Sequence, residues 1–326
     1  MAYQHPAGIS FPPLESHEPN AARQPGAAPS SSKKSLAIPI LLQVLAMIGI
    51  GAILYSSAAD WFATRQHGSQ ISGYVESVEQ LPRADRAAAL ERARSYNANL
   101  PRGVLRDPYL SPSDEGSETS AYADYQENLR IDSNNVMGEL SYPRLGISLP
   151  IYHGTADDIL ARGVGHLYGS SLPVGGPSTH SILTSHSGLI HASLFSQLPK
   201  AAVRDTFQIT VLGERHHYRV TSIETVLPEE TESLEIIAGE DHVTLVTCTP
   251  IGVNSHRLLV HGERIASPDD DGAGSRSIAG HSAGLPWWIL WFVLGTGAIA
   301  YILFSPSRPR RDTPSYSSQP VQEVDS

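Results

Sequence analysis

The chain has 326 residues and a formal net charge of −10 at neutral pH, from 23 Lys and Arg against 33 Asp and Glu. This acidic balance, without a basic stripe, argues against a nucleic acid as partner. A single cysteine and scattered histidines do not form a Cys/His cluster with metal-ligand spacing, so the sequence indicates no metal site.

The N-terminal part is predicted to comprise a tail and an apolar segment. Residues 1–34 are rich in Pro, Ser, Ala and Gly and lack apolar periodicity, which is typical of a disordered tail. Residues 35–57 follow Lys33-Lys34 and are about long enough for a bilayer, which takes roughly 20 residues. We expect a transmembrane anchor, although the small residues at 57–59 leave a signal peptide as the alternative.

Residues 58–134 are predicted to form a helical extension. Strong helix formers fill residues 87–94, with Pro82 near the start of this helix and Pro101 beyond its end. Within the extension, residues from about 104 to 118 are rich in Pro, Gly, Ser and Asp, and this composition predicts a loop.

Residues 135–265 are predicted to form a mainly β domain. Short runs rich in β-branched and aromatic residues alternate with turn signals, a pattern that favours a barrel or a sandwich. These runs are 148–152, 181–184, 207–211, 217–221, 243–247 and 258–261.

A polar linker, residues 266–284, leads to a second apolar segment, residues 285–305. This segment begins with Trp287-Trp288 and is followed by arginines in the tail 306–326. Aromatic residues mark membrane interfaces and positive residues favour the cytoplasmic side, so we expect a second transmembrane helix, two cytoplasmic tails and an external β domain. A buried core helix is the alternative for this segment.

Cys248, the only cysteine, directly follows the β-type run 243–247. A thiol outside the cytoplasm normally pairs into a disulfide, and a lone one is therefore a candidate nucleophile. The alternative is a small buried core residue, because free cysteine often has that place. Thr249-Pro250 ends the run and favours a position at the rim of the domain.

A nucleophilic cysteine needs a group that stabilises its thiolate, because an ordinary thiol has a pKa of ~8.5. Arg257 begins the next β-type run after a short connection, so adjacency is expected, although an ordinary surface arginine fits the pattern too. His186 directly follows a β-type run, but spacing does not rank the histidines of the domain. These are His180, His186, His191, His242, His256 and His261.

Several segments resemble the sortase family. They are 142–155, 163–176, 179–189, 194–195, 243–250 and 254–260. The similarity covers residues 135–265, and its most specific part runs from Cys248 to Arg257. The resemblance implies a closed sortase-type β-barrel with short helices, and His186, Cys248 and Arg257 as catalytic residues without a cofactor or metal.

Within this family the chain resembles the pilus-assembling class C type. The second apolar segment and the helical extension point there, as does Asp107-Pro108-Tyr109, which resembles the lid motif of that class. An ordinary Asp-Pro turn is the alternative for these three residues. Ser187 departs from the family pattern, since an arginine commonly follows the catalytic histidine.

The resemblance implies a cysteine transpeptidase in the membrane of a Gram-positive envelope, with its catalytic domain outside. It would cleave an LPXTG-like sorting signal between Thr and Gly through a thioacyl intermediate and join pilin subunits at a lysine side chain. Two alternatives remain open: a sortase that attaches proteins to cell-wall peptide amines, and a catalytically idle, membrane-tethered binding module.

Overall fold

The computed structural model describes residues 36–100, 107, 109, 120–131, 134–266 and 283–305. The predicted tails, Pro108 and most of the predicted loop and linker lie outside the described residues. Eight strands close into a barrel in the order β1-β2-β3-β4-β7-β8-β6-β5, so the prediction of a mainly β, closed barrel is confirmed. The strands are β1 Val136–Tyr142, β2 Ile147–His153, β3 Val164–His166, β4 Thr179–Thr184, β5 Thr206–Val211, β6 Glu214–Val226, β7 Asp241–Thr249 and β8 His256–Ile265.

The described helices flank the barrel in the chain or connect its strands. They are α1 Ala37–Gln80, α2 Arg83–Ala98, α3 Ser120–Glu127, α4 Asp157–Leu160 and α5 Trp287–Phe304. The barrel interior is filled by aliphatic and aromatic side chains, among them Leu140, Ile151, Leu245 and Val260, which are fully buried. Burial of this apolar surface is the main force that closes the barrel.

Two strand pairings position the candidate catalytic residues. β4 runs parallel to β7, with Thr184 opposite Val246, and β7 runs antiparallel to β8, with Cys248 opposite Arg257. Every residue of β4 is buried, as is typical of a strand covered on both faces. The carboxyl ends of β4 and β7 therefore meet at one end of the barrel.

Helix α1 is continuous across residues 57 and 58, where we predicted the boundary between the anchor and the helical extension. Its C-terminal part packs on the barrel through Ile71, Tyr74 and Val78. The Tyr74 hydroxyl donates to the Met137 carbonyl at 2.9 Å and accepts from the Leu212 N–H at 2.8 Å. These two bonds attach α1 to the end of the barrel opposite to Cys248.

By length and composition, α1 and α5 could each cross a membrane. Each contains a long apolar stretch, and none of either stretch is buried within the protein. The two helices contact each other, and the Gln43 side chain donates to the Thr296 carbonyl at 3.1 Å. Near the start of α5, Trp61 Nε1 of α1 donates to the Gly284 carbonyl at 2.7 Å.

Candidate active site

Cys248 and Arg257 face each other at the ends of neighbouring strands. Their Cα atoms are register partners in the β7–β8 ladder, and both side chains are buried. The connection between the strands is short because Pro250 ends β7 and β8 begins at His256. The structure therefore places Cys248 and Arg257 next to each other, as predicted.

His186 reaches the same end of the barrel through the parallel β4–β7 pair. The Ser187 hydroxyl donates to the Cys248 carbonyl at 2.8 Å, and the Thr247 hydroxyl donates to the Ser185 carbonyl at 2.8 Å. The residues on both sides of His186 are therefore hydrogen-bonded to the Cys248 strand. The His186 carbonyl accepts from the Phe195 N–H at 3.0 Å, which closes the following loop.

Tyr109 lies among these three residues. Its ring centroid is 5.8 Å from that of His186, and the Arg257 Cζ is 4.8 Å from the centre of the Tyr109 ring. The Tyr109 hydroxyl donates to the Ser185 carbonyl at 2.7 Å and accepts from the Thr184 hydroxyl at 2.7 Å. A residue distant in sequence is thus anchored by its hydroxyl at the end of β4.

Asp107 forms an ion pair with Arg257. The Arg257 Nη2 donates to Asp107 Oδ2 at 2.6 Å, and Nε donates to Oδ1 at 2.9 Å. The Arg257 Nη1 donates to the Asn254 and His256 carbonyls at 3.1 and 3.2 Å. The guanidinium is therefore held on one side by a carboxylate and on the other by its own loop.

The electrostatics of this arrangement favour a neutral thiol and a neutral imidazole. Burial raises the pKa of Cys248, and Asp107 raises it further, whereas Arg257 and the Tyr109 hydroxyl lower it. Burial lowers the pKa of His186, against an opposing effect of Asp157. Both shifts therefore strengthen the preference for the uncharged thiol and the uncharged imidazole.

An apolar cluster lies on the outer face of the same strands. It contains Leu167, Ile182, Leu234, Val246 and Leu259, and it packs against Tyr109 and Val226. Val246 is two residues before Cys248 on β7, so the cluster begins beside the thiol. Tyr109 thus contacts both the polar residues of the site and this apolar surface.

The other candidate histidines have different surroundings. His180 Nε2 and His261 Nδ1 lie 2.7 and 2.8 Å from the Thr244 hydroxyl, four residues before Cys248 on β7. His242 contacts Glu240, and His256 contacts the Ser255 hydroxyl. Within the described residues, no group of three or more His, Cys, Asp and Glu side chains is arranged to hold a metal ion.

A sortase-domain family model matches residues 140–265, the part that contains the candidate site. Sortase C-1 of Actinomyces oris is 47% identical, with a TM-score of 0.54, and the match covers 56% of this chain and 99% of that structure. The chain belongs to the sortase family. The prediction of family membership from sequence is therefore confirmed.

Further relatives agree with this sortase assignment. Sortase C of Streptococcus pneumoniae, described with pilin substrates, is 39% identical with a TM-score of 0.55, and 60% of this chain matches 96% of it. Sortase A of Streptococcus agalactiae is 31% identical over 39% of this chain and 52% of its own length. The chain thus spans about half of that curated relative, and its structural neighbours confirm the class C resemblance.

Several hydroxyl groups of this sortase site were not identified from sequence. Thr184, Ser187 and Thr247 connect β4, β7 and Tyr109. Ser187 was noted only as a departure from the family pattern, yet it bonds the His186 loop to the Cys248 backbone. Its position directly after the candidate histidine is the one signal that could have indicated this role.

Proposed function

We propose that this sortase is a membrane-anchored cysteine transpeptidase with Cys248 as nucleophile, His186 as general acid and base, and Arg257 as the group that holds the substrate carbonyl. The observation that carries the proposal is the grouping of these three residues around Tyr109 at one end of the barrel. A covalent nucleophile divides one difficult acyl transfer into two easier steps.

The first step forms a thioester. The Cys248 proton passes to His186, and the sulfur attacks the carbonyl carbon of the Thr–Gly bond in an LPXTG-like sorting signal. Arg257 donates hydrogen bonds to the carbonyl oxygen as negative charge develops there. The C–N bond then breaks, and His186 returns its proton to the departing glycine amine.

The second step transfers the acyl group to an amine. The ε-amine of a lysine on the next pilin attacks the thioester carbon, a C–N bond forms and the C–S bond breaks. His186 takes the proton that the amine loses, and Cys248 regains a proton when the site returns to its resting state. The product is an isopeptide bond, and no oxidant, cofactor or metal is required.

Asp107 and Tyr109 keep the described site closed. Asp107 occupies the Nε and Nη2 donors of Arg257, which a substrate carbonyl needs, and the Tyr109 ring lies over the guanidinium. A substrate therefore has to displace both side chains. Such a lid limits hydrolysis of the thioester and gates substrate entry. Pro108 belongs to the same motif but lies outside the described residues.

The apolar cluster under Tyr109 suits the Leu-Pro part of the sorting signal. Removing Tyr109 from Ile182, Val246 and Leu259 would expose an apolar surface beside Cys248. A Leu-Pro dipeptide that covers this surface would regain the burial lost when the lid opens. The threonine that follows would then lie near the thiol.

The partners are pilins and the membrane. The similarity to a sortase C described with pilin substrates supports the pilin acceptor. Two helices of suitable length and composition support anchoring, with the barrel between them outside a Gram-positive cell. The similarity to a sortase A supports a second candidate, attachment of proteins to cell-wall peptide amines.

The test uses the full chain in detergent with an LPXTG peptide, and mass spectrometry of Cys248. We expect an acyl adduct in the wild type, a faster one in Tyr109→Ala and none in Cys248→Ala. If neither the wild type nor Tyr109→Ala forms an adduct, the transpeptidase proposal is wrong.

A second experiment tests the acceptor: a pilin lysine peptide and a cell-wall peptide amine compete for the acyl group on Cys248. Preferential transfer to the cell-wall amine would reject pilin polymerisation.

A further inference from the structure

An exposed apolar surface lies beside the candidate active site and has no part in the proposed reaction. Ile190, in the loop after His186, is 68% exposed. Ile251 and Val253, in the loop between β7 and β8, are 51% and 70% exposed. We name these three residues the loop-tip surface.

The two loops that form the loop-tip surface are adjacent. A Cβ added to Gly188 would lie only 2.3 Å from Ile251 Cγ2, so the Ile251 side chain packs directly on the His186 loop. Ile190 follows Gly188 by two residues. The apolar side chains therefore belong to one continuous part of the protein surface.

Both loops lack formal charge. Residues 187–199 and 250–255 contain no Asp, Glu, Lys or Arg, whereas charged residues make up 17% of the whole chain. Apolar side chains that are exposed without charged neighbours can be buried at the boundary between headgroups and acyl chains, and the strength of such binding grows with the apolar area buried.

The height of the loop-tip surface is set by α1. The Ser193 N–H, three residues after Ile190, donates to Asp60 Oδ1 at 2.6 Å. The next residue on α1, Trp61, donates to the Gly284 carbonyl just before α5, and the Phe62 and Trp288 rings are 6.0 Å apart. Tryptophan is enriched at membrane–water boundaries. The His186 loop therefore lies at the level where both apolar helices reach that boundary.

We propose that the loop-tip surface sits in the headgroup layer of the membrane that α1 and α5 cross. This inference rests on the proposed anchoring and is independent of the transpeptidase chemistry. The active site then opens at the lipid surface and not toward the bulk solvent. The partner is the bilayer itself, because the His186 loop is bonded to α1 directly beside Trp61 and Phe62, which contact the start of α5.

The test places one fluorophore at a time on the full chain. Cys248→Ala removes the single native thiol, and Ile190→Cys or Val253→Cys then receives an environment-sensitive dye. Ile237→Cys is the matched control, since this exposed isoleucine precedes the start of β7, which lies about 23 Å along the strand from Cys248. Ile53→Cys, on the apolar half of α1, reports the anchoring itself.

The labelled proteins are reconstituted in nanodiscs of phosphatidylglycerol and phosphatidylethanolamine that contain nitroxide lipids. We expect nitroxides near the headgroup to quench the dyes at 190 and 253, nitroxides deep in the acyl chain to quench the dye at 53, and no quenching at 237. Quenching at 53 without quenching at 190 and 253 overturns the inference but keeps the anchoring.

The remaining outcomes are equally decisive. Absence of quenching at 53 rejects the anchoring and the inference together. Equal quenching at 237 indicates adsorption without orientation and overturns the inference. Dyes at 190 and 253 that respond to added pilin and not to nitroxide lipids would assign the surface to a protein partner instead.

Discussion

The Asp107 carboxylate and the Arg257 guanidinium form a two-point, buried ion pair across 150 residues of sequence, with Oδ2 2.6 Å from Nη2 and Oδ1 2.9 Å from Nε. Removing one member of such a pair leaves the other charge buried and unpaired, which is costly unless a new partner arrives. Lid opening is therefore expected to be coupled to the arrival of a substrate carbonyl at Arg257.

Asp107→Ala is expected to increase the rate at which a methanethiosulfonate reagent modifies Cys248. The change removes the contact between Arg257 and the proposed lid and also a negative charge that raises the thiol pKa. Each unit by which the pKa falls toward neutral pH gives about a tenfold larger thiolate fraction. Stopped-flow labelling measures the rate, and Asp124→Ala on the exposed face of α3 is the control. Equal rates in both variants would contradict the role of Asp107.

The pH dependence of that labelling reaction should shift in a defined direction. Burial and Asp107 raise the pKa of Cys248, so in the wild type the labelling rate should rise only above the range of an ordinary thiol. Asp107→Asn keeps the shape of the side chain and removes its charge, and the midpoint should move to lower pH. A rate–pH profile of each protein provides the measurement, and an unchanged midpoint would refute the electrostatic part of the argument.

Tyr109→Phe should open the lid only in part. The ring can still pack over Arg257, but its hydroxyl bonds to the Ser185 carbonyl and the Thr184 hydroxyl are lost. Each of these two hydrogen bonds contributes about 1 kcal/mol, so we expect up to about a thirtyfold increase in Cys248 labelling. Tyr109→Ala, which also removes the ring, should give a larger increase. A larger effect of Tyr109→Phe than of Tyr109→Ala would be incompatible with this account.

Ser187→Ala is expected to lower kcat while leaving KM nearly unchanged. The Ser187 hydroxyl bonds the His186 loop to the Cys248 carbonyl, so its loss allows the imidazole to move relative to the thiol. The loss of about 1 kcal/mol of positioning corresponds to about a fivefold lower rate. Ser187→Thr keeps the hydroxyl and should restore the rate. If both variants lose activity equally, the hydroxyl has no positioning role.

Asn97→Ala should destabilise the protein through the α2–barrel contact. The Asn97 amide donates to the Leu172 carbonyl at 3.0 Å and accepts from the Leu172 N–H at 2.8 Å, and all these groups are buried. Leaving the backbone of Leu172 unpaired should cost about 2 kcal/mol and lower Tm by about 6 °C. Asn99→Ala, at an exposed position, is the control in thermal unfolding. A similar Tm for both variants would remove Asn97 from this role.

The sequence predicted those parts of the fold that local patterns encode. β7 and β8 are long apolar runs with a short connection, so their pairing and the contact of Cys248 with Arg257 could be expected. β1 and β3 were not among the predicted runs. β1 contains Glu139, whose carboxylate is buried beside the Ser148 hydroxyl, and β3 has only three residues.

The choice among the histidines could not be made from spacing. His186 lies near Cys248 because β4 runs parallel to β7, and a parallel pairing joins segments that are distant in sequence. The same limit applies to the Asp107–Arg257 ion pair and to the Ser187–Cys248 bond. The resemblance to sortases supplied the candidate residues of this site, whereas its hydroxyl contacts required the structure.

The continuity of α1 has a consequence for the reach of the active site. The helix runs from Ala37 to Gln80 without interruption, and its last turns are fixed to the barrel through Tyr74. A bilayer that holds its apolar half therefore holds the thiol at one fixed distance. Each residue added or removed between the two parts would change that distance by about 1.5 Å and turn the barrel by about 100°. The protein would then act preferentially on neighbouring membrane proteins whose cleavable bond lies at the same distance from the bilayer as the thiol.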